Sequence, residues 1–257
     1  MTLELIALLC LIAFIAGFVD SIVGGGGLIQ TPLSLTILPQ IPVATVIGSL
    51  KIPAFSGTAI ALTQYIKKVK VHWKLFILMA SISFVSAYIG SYFLTIVSNE
   101  FMKPLLLFIL IAMGVFTFFK KDFGNTPQKS ISKNKLIIYA IIISVIVGLY
   151  DGFIGPGTGT FFMLCFIILL KMDFLTANTH AKLVNLATNF GSICLFLFKG
   201  KVIWTIAIPM AISNGFGGYL GSKFAISKGN TIIRKFLIFI IFLSILRFGF
   251  DIYLTIK

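Results

Sequence analysis

Acidic residues are scarce in this chain: seven Asp and Glu stand against 21 Lys and Arg, a formal net charge of +14. Histidine and tryptophan occur twice each and cysteine three times. With so few acids and histidines there is no paired-carboxylate, zinc-ligand or Ser/His arrangement on which to build a hydrolase. Cys10, Cys165 and Cys194 lie inside hydrophobic segments without CxxC or metal-ligand spacing, which argues against a disulfide framework or a zinc site. They read as packing residues. No ATP-binding motif is present, and neither glycine run has the spacing or the strand-loop-helix context of a phosphate-binding loop. No cofactor is expected.

What is abundant is hydrocarbon. The sequence is 58% hydrophobic with a mean hydropathy of +1.08, and a soluble domain cannot bury that much apolar surface. The stretches Leu3 to Val23, Leu75 to Val97, Leu105 to Phe119 and Phe236 to Phe250 approach or reach the roughly 20 residues a helix needs to cross a bilayer. The first could be mistaken for a signal peptide. It carries Glu4 instead of a basic start and runs into glycines, so it reads as a retained helix. A basic excess in a soluble protein suggests nucleic acid, but here most Lys and Arg fall between hydrophobic stretches, where they set topology. The expected fold is an all-α polytopic membrane protein, with the lipid bilayer as partner and no nucleic acid.

The second half of the chain reads as a copy of the first. Gly148 lies 131 positions after Gly17, and this one ungapped offset pairs GFVDSIVGGG (17–26) with GLYDGFIGPG (148–157), both of the form GxxDxxxGxG. It also pairs Thr45 with Thr176, Lys51 with Lys182 and Trp73 with Trp204. Matching leucines could arise by chance; matching Trp, Asp and Lys point to a tandem duplication. The expected division is repeat 1 (1–121), a polar linker (122–135) and repeat 2 (136–257). The lysine excess of Lys120 to Lys135 places that linker on the cytoplasmic side, and Lys67, Lys68, Lys70 and Lys74 do the same for an earlier loop. Each repeat reads as a long helix, a glycine-rich break, a short apolar piece and three longer helices. In the first copy these span about 3–23, 28–38, 43–66, 71–97 and 101–119. Eleven residues of helix reach only about 16 Å, so the short piece re-enters the membrane or completes a broken crossing. Inverted repeats are the preferred arrangement, because broken helices meeting at a midplane site recur in such transporters.

The residues a membrane should not tolerate occur in pairs. Backbone at Gly24 to Gly27 and at Gly155 to Thr160 can stay unpaired only against protein or a water-filled cavity. Helix ends at Gly25, Gly26, Gly157 and Thr158 would present free N–H groups suited to an anion. Lys51 and Lys182 sit deep in apolar helices, where an ammonium needs a cavity or a counter-charge. One reading buries each lysine against Asp20 or Asp151; the preferred one joins both lysines to the helix N-termini in a shared oxyanion site. Thr45, Thr176, His180, Asn185 and Asn189 complete the candidate set. Asn185 and Asn189 lie three and seven residues after Lys182 and share its helical face. Asp20, Asp151 and His180 are the candidates for proton coupling.

With those residues in view, the chain resembles the TauE/SafE sulfite exporter family of four-plus-four-helix membrane proteins. The resemblance spans nearly the whole sequence and rests on GFVDSIVGGGG (17–27), GLYDGFIGPGTG (148–159) and the segments Thr45 to Lys51 and Thr176 to Lys182. It implies a multi-pass permease of the bacterial inner membrane that moves sulfite or organosulfur anions such as sulfoacetate. Alternating access between the repeats is the expected mechanism, and a homodimer is compatible with it.

Overall fold

A computed structural model describes residues 2–98, 101, 105, 108 and 132–228. Most of the expected linker, nearly all of the helix expected at 101–119 and the whole of the apolar stretch Phe236 to Phe250 lie outside the described residues. Within them every regular element is a helix: α1 (Leu3–Val23), α2 (Gly26–Ile37), α3 (Val43–Tyr65), α4 (Trp73–Ile96), α5 (Lys133–Phe153), α6 (Thr158–Ile168), α7 (Phe174–Phe198) and α8 (Trp204–Lys228). The order long, short, long, long occurs twice. Each helix of the second set starts within one residue of the position 131 beyond its counterpart. One boundary moves: α5 begins at Lys133, after Ser132 in an extended conformation, so the last residues assigned to the linker are helical. Lysine is a good helix former, which favours starting the helix at Lys133.

Five helices, α1, α3, α4, α5 and α7, are long and apolar enough to cross a membrane. The 12 residues of α2 and the 11 of α6 reach only about 16–18 Å, short of the ~30 Å hydrocarbon layer. Polarity runs inside out. On α4, Ile77, Val85, Ile89, Phe93 and Ile96 are exposed, while Ser83, Ser86, Ala87 and Ser91 are buried against neighbouring helices. Large apolar side chains facing lipid and small ones facing protein are what helix association in a bilayer requires, since lipid gives no hydrophobic drive toward burial.

Close contacts fix the helix directions. Gly217 and Gly221 of α8 lie against Phe14 and Phe18 of α1, and Gly148 and Gly152 of α5 lie against Ser83 and Ala87 of α4. In both pairs the residue numbers rise together, so the helices run the same way. Between α3 and α7 they run oppositely: Gly48 meets Phe196, and the Phe55 ring lies 6.0 Å from that of Phe190. Ser49 and Gly57 of α3 meet Ile203, just before α8, and Asn214 within it, and Phe76 and Phe84 of α4 meet His180 and Gly191 of α7. Helices α1, α3 and α8 therefore point one way, and α4, α5 and α7 the other. The two sets of helices are inverted with respect to each other.

These directions bring Lys67, Lys68, Lys70, Lys74, Lys133, Lys135, Lys171 and Lys228 to one end of the bundle and Lys199 and Lys201 to the other. Trp73 and Trp204, the first residues of α4 and α8, are 53% and 51% exposed at these two ends, as an interfacial aromatic pair should be. Single cysteines at Lys68 and Lys201 in a cysteine-free background are expected to react with an impermeant thiol reagent from opposite sides of a sealed vesicle. Labelling of both from one side would refute the helix directions.

Candidate functional site

The site is built where α1 and α5 stop. The last carbonyls of a helix have no partner within it, and here several find one from another element. At the end of α1, the Asp20 carbonyl accepts from Lys182 Nζ at 2.6 Å, that of Ser21 from Tyr65 Oη at 2.8 Å, and that of Val23 from Thr160 Oγ1 at 2.9 Å. Asn178 Nδ2 serves Ser21 and Ile22 together. At the end of α5, the Asp151 carbonyl accepts from Lys51 Nζ at 2.7 Å and that of Gly152 from Ser91 Oγ at 3.1 Å. A cation at a helix C-terminus also meets the negative end of the helix dipole. Both lysines thus cap the broken helix of the opposite repeat.

Their second partners are carboxylates, again across the repeats. Lys51 Nζ is 2.9 Å from Asp151 Oδ1, and Lys182 Nζ is 3.4 Å from Asp20 Oδ2. Asp151 Oδ1 also accepts from Thr158 Oγ1 at 2.7 Å, at the first residue of α6. Asp20 reaches over its own break to accept the Gly26 N–H at 3.3 Å, at the first residue of α2, and takes Thr58 Oγ1 at 3.4 Å. Each carboxylate therefore occupies the place between a short-helix N-terminus and a deep lysine where the sequence led us to expect an external anion.

The two breaks touch. Gly24 and Gly157 sit in the left-handed region at φ 76° and 80°, a conformation glycine adopts without a Cβ penalty. The Thr160 N–H donates to the Gly24 carbonyl at 3.2 Å, and a Cβ on Gly159 would fall 2.7 Å from the Gly24 Cα. Only residues without side chains let the two backbones meet here.

Beside this contact lies a cavity of about 50 Å³. At ~10–15 Å³ of such space per water, it has room for a few waters or one small ion. Gly24, Gly26 and Gly27 come from one break and Gly155, Gly157, Thr158 and Gly159 from the other; Asp20, Lys51 and Asp151 supply charge. Thr58, Gln30, Asn185, Asn189 and Asn214 supply neutral hydrogen-bonding groups. Both sets of helices thus contribute charged and hydrogen-bonding groups to one small cavity inside an apolar bundle.

The family described as Sulfite exporter TauE/SafE matches residues 9–248. The chain belongs to the TauE/SafE sulfite exporter family. It is similar to "Probable membrane transporter protein ORF9" of Sinorhizobium sp, 35% identical over 237 residues that cover 92% of this chain and 89% of the relative. It is likewise similar to "Probable membrane transporter protein YfcA" of Escherichia coli K12, 30% identical over 236 residues, 92% of this chain and 86% of that one. A "Probable membrane transporter protein" of Haemophilus influenzae is 29% identical over 249 residues, 97% and 96% of the two chains. No solved structure matches the chain. This TauE/SafE protein is a multi-pass membrane transporter and not an enzyme, as its relatives' names agree.

Of the residues singled out in the sequence of this TauE/SafE chain, Asp20, Gly26, Lys51, Asp151, Gly157, Thr158, Asn185 and Asn189 line the cavity. Gly25, Thr45, Thr176, His180 and Lys182 do not. Thr45 is six residues from Lys51, about 9 Å along the helix and on another face; its carbonyl accepts from Ser49 Oγ. His180 lies about 200° around α7 from Lys182. Its ring stacks 3.8 Å from that of Phe76 and 6.4 Å from that of His72, and its Nδ1 is 2.6 Å from the Thr176 carbonyl. Lys182 stands behind Asp20, its ammonium turned to that carboxylate and carbonyl. Four polar lining residues, Gln30, Thr31, Thr58 and Asn214, are not among the site residues the sequence singles out. Asn214 Nδ2 donates to Gln30 Oε1 at 2.9 Å across the cavity wall. A lone glutamine in the apolar run of α2 is the one signal the sequence offers, since an isolated amide in a membrane helix needs a partner.

Proposed function

We propose that this chain is a secondary carrier of a small oxyanion, sulfite or an organosulfur anion, bound in the chamber between the two glycine breaks and exposed alternately to either side. The observation that carries the reading is the chamber itself. It is lined from both sets of helices and carries, beside the two carboxylates, an ammonium, hydroxyls and amides of the kind that hold an anion's oxygens. Lysine suits a site that must also release its cargo, because it acts as a point charge without bidentate clamping. With the lysine-rich end as the cytoplasmic side of the inner membrane, efflux of an anion is helped by an inside-negative potential, by about 2.3 kcal/mol per charge per 100 mV.

The test is flux of sulfite, thiosulfate and sulfonates in proteoliposomes. Lys182→Ala is expected to reduce initial rates at least about tenfold, the equivalent of roughly 1.4 kcal/mol, while the protein still inserts. Wild-type rates in this variant would sink the site assignment, and no flux of any of these anions by the wild type would sink the oxyanion reading.

A further inference from the structure

The two ion pairs occupy equivalent positions but are not held equally. Lys51 and Asp151 are 6% and 2% exposed and meet at 2.9 Å through Asp151 Oδ1, which also accepts from Thr158 at 2.7 Å, while Asp151 Oδ2 is buried without a hydrogen-bond partner among the described residues. Asp20 is 20% exposed, and its three carboxylate contacts, with Lys182, Thr58 and the Gly26 N–H, measure 3.4, 3.4 and 3.3 Å. A charge-assisted bond to a carboxylate is usually about 2.7–2.9 Å, so Asp20 is loosely held. Position adds to this. Lys51 and Asp151 both line the cavity, whereas on the other side Asp20 lines it and Lys182 does not. The Asp20 carboxylate is therefore a screen between the cavity and a buried ammonium.

We infer that Asp20 is an internal substitute for the transported anion: it gives up Lys182 to the incoming oxyanion and takes a proton as it does so. The inference rests on the oxyanion reading above and adds the exchange. Its balance is simple. At rest the chamber and its rear wall hold two ammonium and two carboxylate groups, with no net charge. An oxyanion entering alone would leave one uncompensated negative charge in a low-dielectric space, which is strongly unfavourable. A proton moving from water onto Asp20 breaks the carboxylate's claim on Lys182, and the ammonium becomes the counter-charge of the anion. Lys51, Lys182, Asp151 and the bound anion then sum to zero again. Asp151 is the less ready partner for such an exchange, because giving up Lys51 breaks a bond of 2.9 Å between two nearly inaccessible groups. The other titratable group near Asp20 is Tyr65, whose hydroxyl is committed to the Ser21 carbonyl; Lys51 and Asp151 face it across the cavity.

The experiment is equilibrium binding to the full chain in nanodiscs, with methanesulfonate, which keeps its charge throughout the pH series, and with sulfite at one fixed pH. In the wild type, methanesulfonate affinity should rise as pH falls, by at most about tenfold per pH unit for one proton taken up per anion. Asp20→Asn should bind both anions at least about tenfold more tightly at neutral pH and show a flat pH profile. Asp151→Asn should keep the pH dependence. In weakly buffered medium, methanesulfonate binding to the wild type should take up about one proton per anion, a readout that needs no variant to fold. Binding by the wild type without proton uptake, unchanged or weaker binding by Asp20→Asn, or loss of the pH dependence in Asp151→Asn alone would overturn the exchange and leave the oxyanion site standing. Absence of binding of either anion to the wild type and to Asp20→Asn would overturn both.

Discussion

Lys51→Ala is expected to cost about 3–5 kcal/mol of stability as well as transport, which makes it the more damaging of the two lysine substitutions. Removing the ammonium leaves the Asp151 carboxylate 2% exposed with only Thr158 to compensate it, and leaves the Asp151 carbonyl without its donor. The reciprocal Asp151→Ala strands a lysine 6% exposed. The double substitution Lys51→Met with Asp151→Leu tests the cause. Replacing a buried pair by apolar groups of similar volume is often neutral or stabilising, so the double variant should recover most of the lost thermal midpoint in detergent while remaining unable to carry anions. If the double variant were as unstable as the singles, the pair's charges would not be the reason for the loss. The Lys182 side should respond more mildly, because Asp20 retains partial exposure and can be solvated once unpaired.

The second large effect is steric. Gly24→Ala combines a left-handed backbone at φ 76° with a Cβ that would fall 2.6 Å from the Thr160 nitrogen and 2.7 Å from the Gly159 Cα. A left-handed residue with a side chain costs about 1–2 kcal/mol and forced overpacking a further ~1–3 kcal/mol. Gly200→Ala separates the two contributions, since Gly200 is also left-handed at φ 61° but has nothing within 4 Å of a built Cβ. The thermal midpoint should therefore fall much further for Gly24→Ala than for Gly200→Ala. Equal losses would mean that contact between the two breaks is unimportant.

Much of the architecture is legible in the amino-acid sequence. Hydropathy and the single 131-residue offset locate each described helix to within a few residues, because glycine and proline at the breaks interrupt otherwise continuous apolar runs. Lys51, Lys182, Asp20 and Asp151 stand out for the same reason that they matter: charge is expensive in hydrocarbon, and a paired exception is conspicuous. Contact is harder to read. An offset relates positions that are equivalent, not positions that touch, so it cannot show that Lys51 meets Asp151 and Lys182 meets Asp20. The expectation of free lysines follows from that gap, and pairing with these aspartates, the other reading of the same residues, is what the fold contains. His180 illustrates a second limit. It lies two positions from Lys182, which is close in sequence and nearly opposite on a helix. Gln30 and Asn214 are opaque because each is satisfied by the other from elements 184 residues apart, and no local pattern reports such a pairing.

The crossing of the two ion pairs bears on how the protein is assembled. Each repeat carries a lysine whose carboxylate, and a broken helix whose capping cation, belong to the other repeat. Expressed alone, neither half would be electrically complete; two separate halves would have to enter the bilayer in opposite orientations before either charge was neutralised. Carrying both halves on one chain makes that encounter intramolecular, and it leaves the two carboxylates unequally held, one at 2.9 Å and one at 3.4 Å from its lysine.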